Sequence, residues 1–199
     1  TSNRQDRIAK FNYYNASKDT YEREKELYQC VEARYPDTLQ LGTAGWRNRY
    51  YRYYMNINNR NESEFMRHIN PICKSYIEGT VWVLKYYVGH HNNWSWYYPY
   101  NAAPTTYDLM NWLTNTIGSY INYTFSTDMP VTPVVQLLSI LPPDSANLLP
   151  DGLSRLMLDK ESVVNYMYPL KFRLLTEGNI YLHECRPVLP HIDQELLGL

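Results

Sequence analysis

The clearest pattern of apolar positions lies between Pro71 and Val88. Apolar side chains recur there every three or four residues, and together they form a stripe too wide for a helix buried on one side only. Asn70 is a favoured N-cap and Pro71 a favoured first helical residue, while Gly89 is a favoured stop. The pattern therefore predicts a helix over 71–88 that is buried against a further surface.

Other segments show weaker helical spacing, separated by turn residues. Helices are predicted over 17–35, over 46–55 with an Arg-rich face, and over 105–121 with Thr105 or Thr106 as the cap. Residues 128–159 read as two short helices with breaks at Pro142-Pro143 and Leu149-Pro150. From Tyr168 onward come a Tyr-Pro turn, a Glu-Gly-Asn turn and a helix start in "PHIDQELL". The predicted fold is mainly α, with long irregular loops and few short strands.

The stretch "NNWSWYYPYNAAP" (92–104) interrupts this pattern with an unusual density of large rings. Its prolines disfavour both a helix and a core strand, so the backbone is predicted to be irregular. Two explanations apply: the rings pack a long loop onto the core, or they stack on the bases of unpaired nucleic acid while nearby arginines contact phosphate. Packing is favoured by composition alone. The rings are Trp94, Trp96, Tyr97, Tyr98 and Tyr100, and the arginines in "GWRNRYYRYY" include Arg47 and Arg49.

Composition narrows the function classes only slightly. The chain has 199 residues and a net charge of −1, so bulk charge does not demand a nucleic-acid partner. Its 3 cysteines are widely spaced and lack a CxxC pair, which favours a reducing compartment over a disulfide or zinc framework. No signal peptide or membrane-spanning run is visible, so no membrane partner is expected.

Candidate catalytic groups are sparse. The acidic residues are dispersed rather than clustered as metal-dependent hydrolysis requires, and the adjacent His90 and His91 lack nearby partners for a metal. Ser95 has no GxSxG context, and no other side chain has the surroundings of a nucleophile or base. We therefore expect no catalytic residue and no metal ligand within this chain.

Four motifs occur in order along the chain, and the longest is "YIEGTVWVLKYYVGHHNNWSWYYPYNAAPTTYDL" (76–109). It resembles a Tyr-x-x-Gly-x-x-Trp helix and a following Trp-x-Trp-Tyr-Tyr-Pro-Tyr loop in the second conserved region of the XRN family of 5′→3′ exoribonucleases, and the other three motifs resemble further parts of that region. The others are "GWRNRYY" (45–51), "PVTPVVQLLSILPPDSANLLP" (130–150) and "LPHIDQELL" (189–197). The resemblance covers 41–199 well and the N-terminal helix and linker of 1–40 weakly, as one piece. Asn101 and Ala102 depart from the family's His-Tyr, and Asn93 from its Ser.

The resemblance implies the C-terminal part of the XRN α/β nuclease core. Such enzymes degrade single-stranded RNA bearing a 5′-monophosphate, with Mg²⁺ or Mn²⁺ bound by an N-terminal nuclease region that this chain lacks and that would act in cis or in trans. It implies that this piece walls the active-site pocket and that Trp94 or Trp96 stacks on the substrate base, with Arg47 and Arg49 contacting phosphate or the nuclease half. Asp108 is expected at a helix start. The expected location is the cytoplasm, with the nucleus as the alternative.

Two other functions remain open from the sequence. In the first alternative, the chain is a non-catalytic RNA-binding or scaffold module that works with a separate nuclease chain. In the second, it is a structural remnant with no RNA role. Instead of contacting phosphate or the nuclease half, Arg47 and Arg49 could equally form surface salt bridges.

Overall fold

The computed structural model describes residues 35–58, 61–90, 93–116 and 123–197. In these ranges it contains six α-helices, three short 3-10 helices and two short strands, which confirms the mainly helical fold class. Of the helix predicted over 17–35, only residue 35 lies within the described residues. The α-helices are α1 (Trp46–Met55), α2 (Glu62–Tyr87), α3 (Thr106–Thr116), α4 (Pro133–Ile140), α5 (Asp151–Leu158) and α6 (Gln194–Leu197).

The long helix α2 begins nine residues before the predicted start, at Glu62 instead of Pro71. Its N-cap is Asn61, whose side chain accepts a hydrogen bond from the Glu64 N–H at 2.8 Å. A proline inside a helix removes one backbone hydrogen bond and crowds the preceding turn. Here the apolar stripe continues through Phe65 and Ile69, both buried, and this packing holds the helix together across Pro71. The prediction of the helix start was therefore wrong.

Over residues 128–159 the chain follows the predicted breaks, with one 3-10 helix added between the two predicted helices. Helix α4 ends before Pro142, the segment Pro143–Leu148 forms a 3-10 helix, and α5 begins after Pro150. The predicted helix over 105–121 is described as α3 to Thr116, and 117–122 lie outside the described residues.

The contacts between residues divide the chain into two compact units. In the described residues, the first unit comprises 35–50 and Lys171–Leu189, and the second comprises Tyr51–Leu170 and 190–197. Helix α1 therefore begins in the first unit and ends in the second.

The first unit contains strands β1 (Arg173–Leu175) and β2 (Arg186–Val188), which pair antiparallel with Leu175 opposite Arg186. The intervening Glu-Gly-Asn segment forms the predicted turn, in which Gly178 has a φ of +80° that suits glycine. The Glu177 carboxylate accepts hydrogen bonds from the N–H and hydroxyl of Thr38, at 2.9 and 2.6 Å. This unit is thus tied together across a long stretch of sequence.

The second unit has two groups of buried side chains. One joins the end of α1 to α2 and α3, where the ring of Tyr51 meets the edge of Phe65 with centroids 5.3 Å apart. The other is formed by α4, α5, α6 and the 3-10 segments around them. Its members are Val135, Leu138, Ala146, Leu149, Met157, Val164, Met167, Tyr168 and Leu197.

Candidate functional site

The aromatic loop, residues 93–104, is anchored on α2 by Trp96. The indole ring packs directly on Gly79, where an added Cβ would lie only 2.7 Å from Cη2 of Trp96. The same ring stacks on Trp82 with centroids 6.0 Å apart and meets the edge of Phe125 at 6.2 Å. Many small van der Waals contacts add up to a substantial attraction when a large ring is packed, so Trp96 fixes the middle of the loop to the helix.

Asn93 connects the start of this loop to two other segments. Its side-chain oxygen accepts a hydrogen bond from the Trp96 N–H at 2.9 Å, and its amide nitrogen donates to the Ser126 carbonyl at 2.7 Å. Its backbone carbonyl accepts from Nε1 of Trp82 at 3.1 Å. Asn93 is 4 % exposed, so these hydrogen bonds satisfy a polar group that burial would otherwise penalise.

Asp128 fixes the next two residues of the loop. One carboxylate oxygen accepts a hydrogen bond from the Trp94 N–H, and the other accepts from the Ser95 N–H at 3.0 Å and from the Ser95 hydroxyl. The amide nitrogen of Asn93 also donates to this carboxylate, at 3.1 Å. Charge-assisted hydrogen bonds of this kind are among the stronger ones in proteins.

The tyrosines of the loop divide into a packed pair and an exposed one. Tyr98 donates its hydroxyl hydrogen bond to the Ala102 carbonyl at 2.8 Å and packs edge-on against Tyr76 and Tyr100. Burial, with a smaller effect of the Glu78 charge, raises the pKa of Tyr100. Tyr97 instead stacks on His191 with centroids 4.5 Å apart while half of its surface stays exposed.

Trp94 is the ring of this loop that combines exposure with a neighbouring cleft. Its side chain is 52 % exposed, whereas Trp96 is half-buried in the ring stack. The cleft beside it has a volume of about 470 Å³. The lining residues are Trp94, Ser95, Asp128, Met129, Pro130, Val131, Gln136, Ser139, Ile140 and Gln194. Met129 and Ile140 are largely exposed, so the lining offers accessible apolar surface beside the indole.

Arg47 and Arg49 belong to the first unit, whereas the aromatic loop belongs to the second. Arg49 donates hydrogen bonds to the carbonyls of Leu39, Ala44 and Gln40 at 2.8, 2.8 and 3.2 Å, and to the Thr43 hydroxyl at 2.6 Å. Four of its five N–H groups therefore hold the loop before α1. The phosphate-binding role of both arginines stays a prediction.

Asp108 lies in the first turn of α3, as predicted, and its side chain is fully buried. Its carboxylate accepts hydrogen bonds from the hydroxyls of Tyr51, at 2.8 Å, and Thr105. Burial raises the pKa of the Tyr51 hydroxyl well above its ordinary value. Burial and the nearby Asp108 charge raise the pKa of the Cys73 thiol to about 12. Asp108 is therefore a buried link between the end of α1 and the start of α3.

Three residues of the site were not predicted from the sequence: Gly79, Asn93 and Asp128. Gly79 carried a signal, because a glycine in the middle of a long helix implies close approach by another group. The contacts of Asp128 with the loop, and that of Asn93 with Ser126, join segments more than thirty residues apart, so no local pattern predicts them.

Two absences hold for the described part of the chain. No three or more His, Cys, Asp or Glu side chains gather there in a way that would hold a metal ion. No helix in those ranges is long and apolar enough to span a bilayer.

The fold and the loop together define a class: a mainly helical module with a rigid aromatic loop beside an open cleft. The family model described as the Xrn1 helical domain matches residues 1–198. The chain therefore belongs to the Xrn1 helical domain family.

Similar proteins include 5′-3′ exoribonuclease 2 of Cryptococcus neoformans var. neoformans serotype D, 36% identical over 163 residues, which are 82% of this chain and 14% of that protein. The protein of the same name from Schizosaccharomyces pombe is 35% identical over 161 residues, 81% of this chain and 15% of that protein. That from Gallus gallus is 32% identical over 161 residues, 81% of this chain and 16% of that protein. The chain thus spans a small fraction of the length of the curated relatives it matches.

Proposed function

We propose that this chain is part of a 5′→3′ exoribonuclease, in which it walls the active-site pocket and stacks on a base of single-stranded RNA bearing a 5′-monophosphate. Membership of the Xrn1 helical domain family and the names of the relatives support the reaction class. The observation that carries the stacking role is the contrast between the two tryptophans of the loop: Trp96 is packed on Gly79, and Trp94 faces solvent beside the cleft.

Stacking is a suitable way for such an enzyme to hold its substrate. Every base has a π-face, so an indole ring binds all four without sequence preference, and one stack contributes about 1–3 kcal/mol. A rigid loop lowers the conformational entropy lost on binding. The hydrogen bonds that the Trp94 and Ser95 N–H groups donate to Asp128 therefore support Trp94 as the stacking ring.

The metal ion and its carboxylate ligands are assigned to a nuclease region outside this chain. The described residues offer no cluster of acids for Mg²⁺ or Mn²⁺, and no step of the reaction is attributed to them. The contribution proposed for this chain is to bind and orient unpaired RNA and to exclude bulkier ends from the pocket.

The experiment is a degradation assay on 5′-monophosphorylated single-stranded RNA with Mg²⁺, with direct binding to the same RNA measured in parallel. The chain is tested alone and with the N-terminal nuclease region of an XRN enzyme supplied in trans. Trp94→Ala is compared with Tyr166→Ala, which removes a similarly exposed ring on a 3-10 helix of the same unit.

Two results together support the proposal: degradation occurs only in the mixture, and Trp94→Ala, but not Tyr166→Ala, weakens it about 5- to 150-fold. A loss of that size corresponds to one lost base stack. RNA binding without degradation in the mixture would indicate the alternative, a non-catalytic RNA-binding module. Equal binding by wild type and both variants would overturn the stacking role.

A further inference from the structure

We propose that Asp128 and Asn93 are positioning residues that hold the Trp94 ring at the edge of the cleft in the orientation needed for stacking. This inference rests on the proposed function of Trp94. It concerns residues that do not themselves touch RNA in the proposal but determine where the indole points.

The first argument is the geometry of the backbone at the start of the loop. Three successive N–H groups, those of Trp94, Ser95 and Trp96, each donate to a side-chain oxygen: the first two to Asp128 and the third to Asn93. A segment held at three consecutive amides has little freedom in φ and ψ. The direction of the Trp94 Cα–Cβ bond is therefore fixed, although the ring itself is half exposed.

The second argument is that the clamp is itself anchored. Asn93 is buried and donates to the Ser126 carbonyl, two residues before Asp128, while the Trp82 indole N–H on α2 donates to the Asn93 carbonyl. The two positioning residues are also joined directly by a hydrogen bond of 3.1 Å. The backbone position from which the Trp94 ring projects is thus set by the helix and by the 126–128 segment rather than by the loop alone.

The negative charge of Asp128, which lines the cleft, allows an experiment to separate a positioning role from a purely electrostatic one. A carboxylate close to bound RNA repels phosphate, so its removal by itself should strengthen RNA binding. A positioning role predicts the opposite sign, because the freed loop must then be ordered on binding. The sign of the change separates the two effects.

The experiment measures RNA affinity and thermal unfolding for Asp128→Ala and Asp128→Asn in the full 199-residue chain. Asp144→Ala is the matched control, since it removes an exposed carboxylate from a 3-10 helix of the same unit. We expect Asp128→Ala to weaken RNA binding about 2- to 12-fold, the effect of ordering one flexible side chain. Asp128→Asn, which keeps one acceptor oxygen, should weaken it less.

The decisive readout is a double-mutant cycle with Trp94→Ala. If Asp128 acts through the indole, Asp128→Ala adds no further loss of affinity once Trp94 is absent. If Asp128→Ala does not fold, Ser95→Ala removes a single donor to the carboxylate and should show the same dependence on Trp94 with a smaller effect.

Unchanged or tighter RNA binding by Asp128→Ala, alongside an intact effect of Trp94→Ala, would overturn this inference and leave the proposed function standing. Additive losses in the cycle would also overturn it. No effect of Trp94→Ala in the wild-type background would instead overturn the proposed function.

Discussion

Gly79 and Trp96 are in direct contact, with no room for a β-carbon between the helix and the indole ring. An ideal Cβ at Gly79 would lie 2.7 Å from Cη2 and 3.4 Å from Cζ3 of Trp96. Both residues are fixed on their own side, Gly79 by α2 and Trp96 by the stack on Trp82. Residue 79 therefore has to be glycine for the aromatic loop to sit where it does.

Gly79→Ala should consequently destabilise the chain despite the better helix propensity of alanine. Alanine favours a helix interior by about 1 kcal/mol over glycine, whereas forcing a group into a packed site costs about 1–3 kcal/mol. We expect a net loss in the free energy of unfolding by urea, together with a change in tryptophan fluorescence as the loop is displaced.

Gly152→Ala is the matched control, since Gly152 lies in α5 and an added Cβ would meet no atom within 4 Å. It should be neutral or stabilising by up to about 1 kcal/mol. Equal effects of the two substitutions would show that the contact with Trp96 is not tight.

The helix pattern was predictable because it depends on neighbours in sequence. The apolar spacing located α2, the Pro142-Pro143 pair located the break before the 3-10 segment, and Pro150 located the break before α5. The start of α2 was mislocated because Pro71 is a favoured first residue, whereas the true cap, Asn61, precedes two acids that also suit a helix start.

The roles of the two tryptophans were not predictable for a different reason. Trp94 and Trp96 are two residues apart in the same irregular loop, and no periodicity assigns them to opposite environments. What separates them is their tertiary contacts: the Trp96 ring packs on Gly79 and Phe125, and Trp94 lines the cleft with half of its surface exposed. Likewise, the hydrogen bonds of Arg49 with the carbonyls of Leu39 and Ala44 follow no local sequence pattern, because they depend on how the preceding loop folds back on α1.

Tyr51→Phe should destabilise the link between α1 and α3. The Tyr51 hydroxyl donates to the buried Asp108 carboxylate at 2.8 Å and accepts from the Thr105 N–H at 2.9 Å. Its removal deprives a fully buried carboxylate of a donor, which costs about 1–3 kcal/mol. Urea unfolding measures the loss, with Tyr87→Phe as the control because Tyr87 is 80 % exposed. Similar values for the two variants would contradict the role assigned to the hydroxyl.

Cys73 should make stability depend on pH in the alkaline range. Its thiol pKa is raised from 9.0 to about 12 in the folded chain. A raised folded pKa gives stability that is fully present below the unfolded value, near pH 9, and is lost as the pH rises toward 12, because only the unfolded chain releases the proton.

The Cys73 thiol lowers the free energy of unfolding by at most about 1.4 kcal/mol per pH unit in this range. Cys73→Ala should lower stability at neutral pH through the cavity it leaves, yet show a shallower fall between pH 9 and 12 than the wild type. Urea midpoints across that range give both quantities. Parallel curves would mean that the thiol does not contribute to the pH dependence.

Arg49→Lys tests whether this arginine serves the fold or RNA. The guanidinium donates to three carbonyls and a hydroxyl of the loop before α1. A lysine ammonium has three donors and lacks the planar fork, so at least one of the four acceptors, of which only the Leu39 carbonyl is partly buried, loses its partner. We expect the free energy of unfolding to fall by about 0.5–1.5 kcal/mol, with RNA affinity unchanged when equal concentrations of folded protein are compared.

Arg52→Lys is the control for this substitution, because Arg52 is an exposed residue in the last turn of the same helix. A phosphate-binding role for Arg49 would give the reverse result: near wild-type unfolding and weaker RNA binding, because lysine keeps the charge but loses the bidentate contact with phosphate. Measuring both RNA affinity and urea unfolding for the two variants distinguishes the roles, since loss of a structural clamp lowers stability and leaves affinity unchanged.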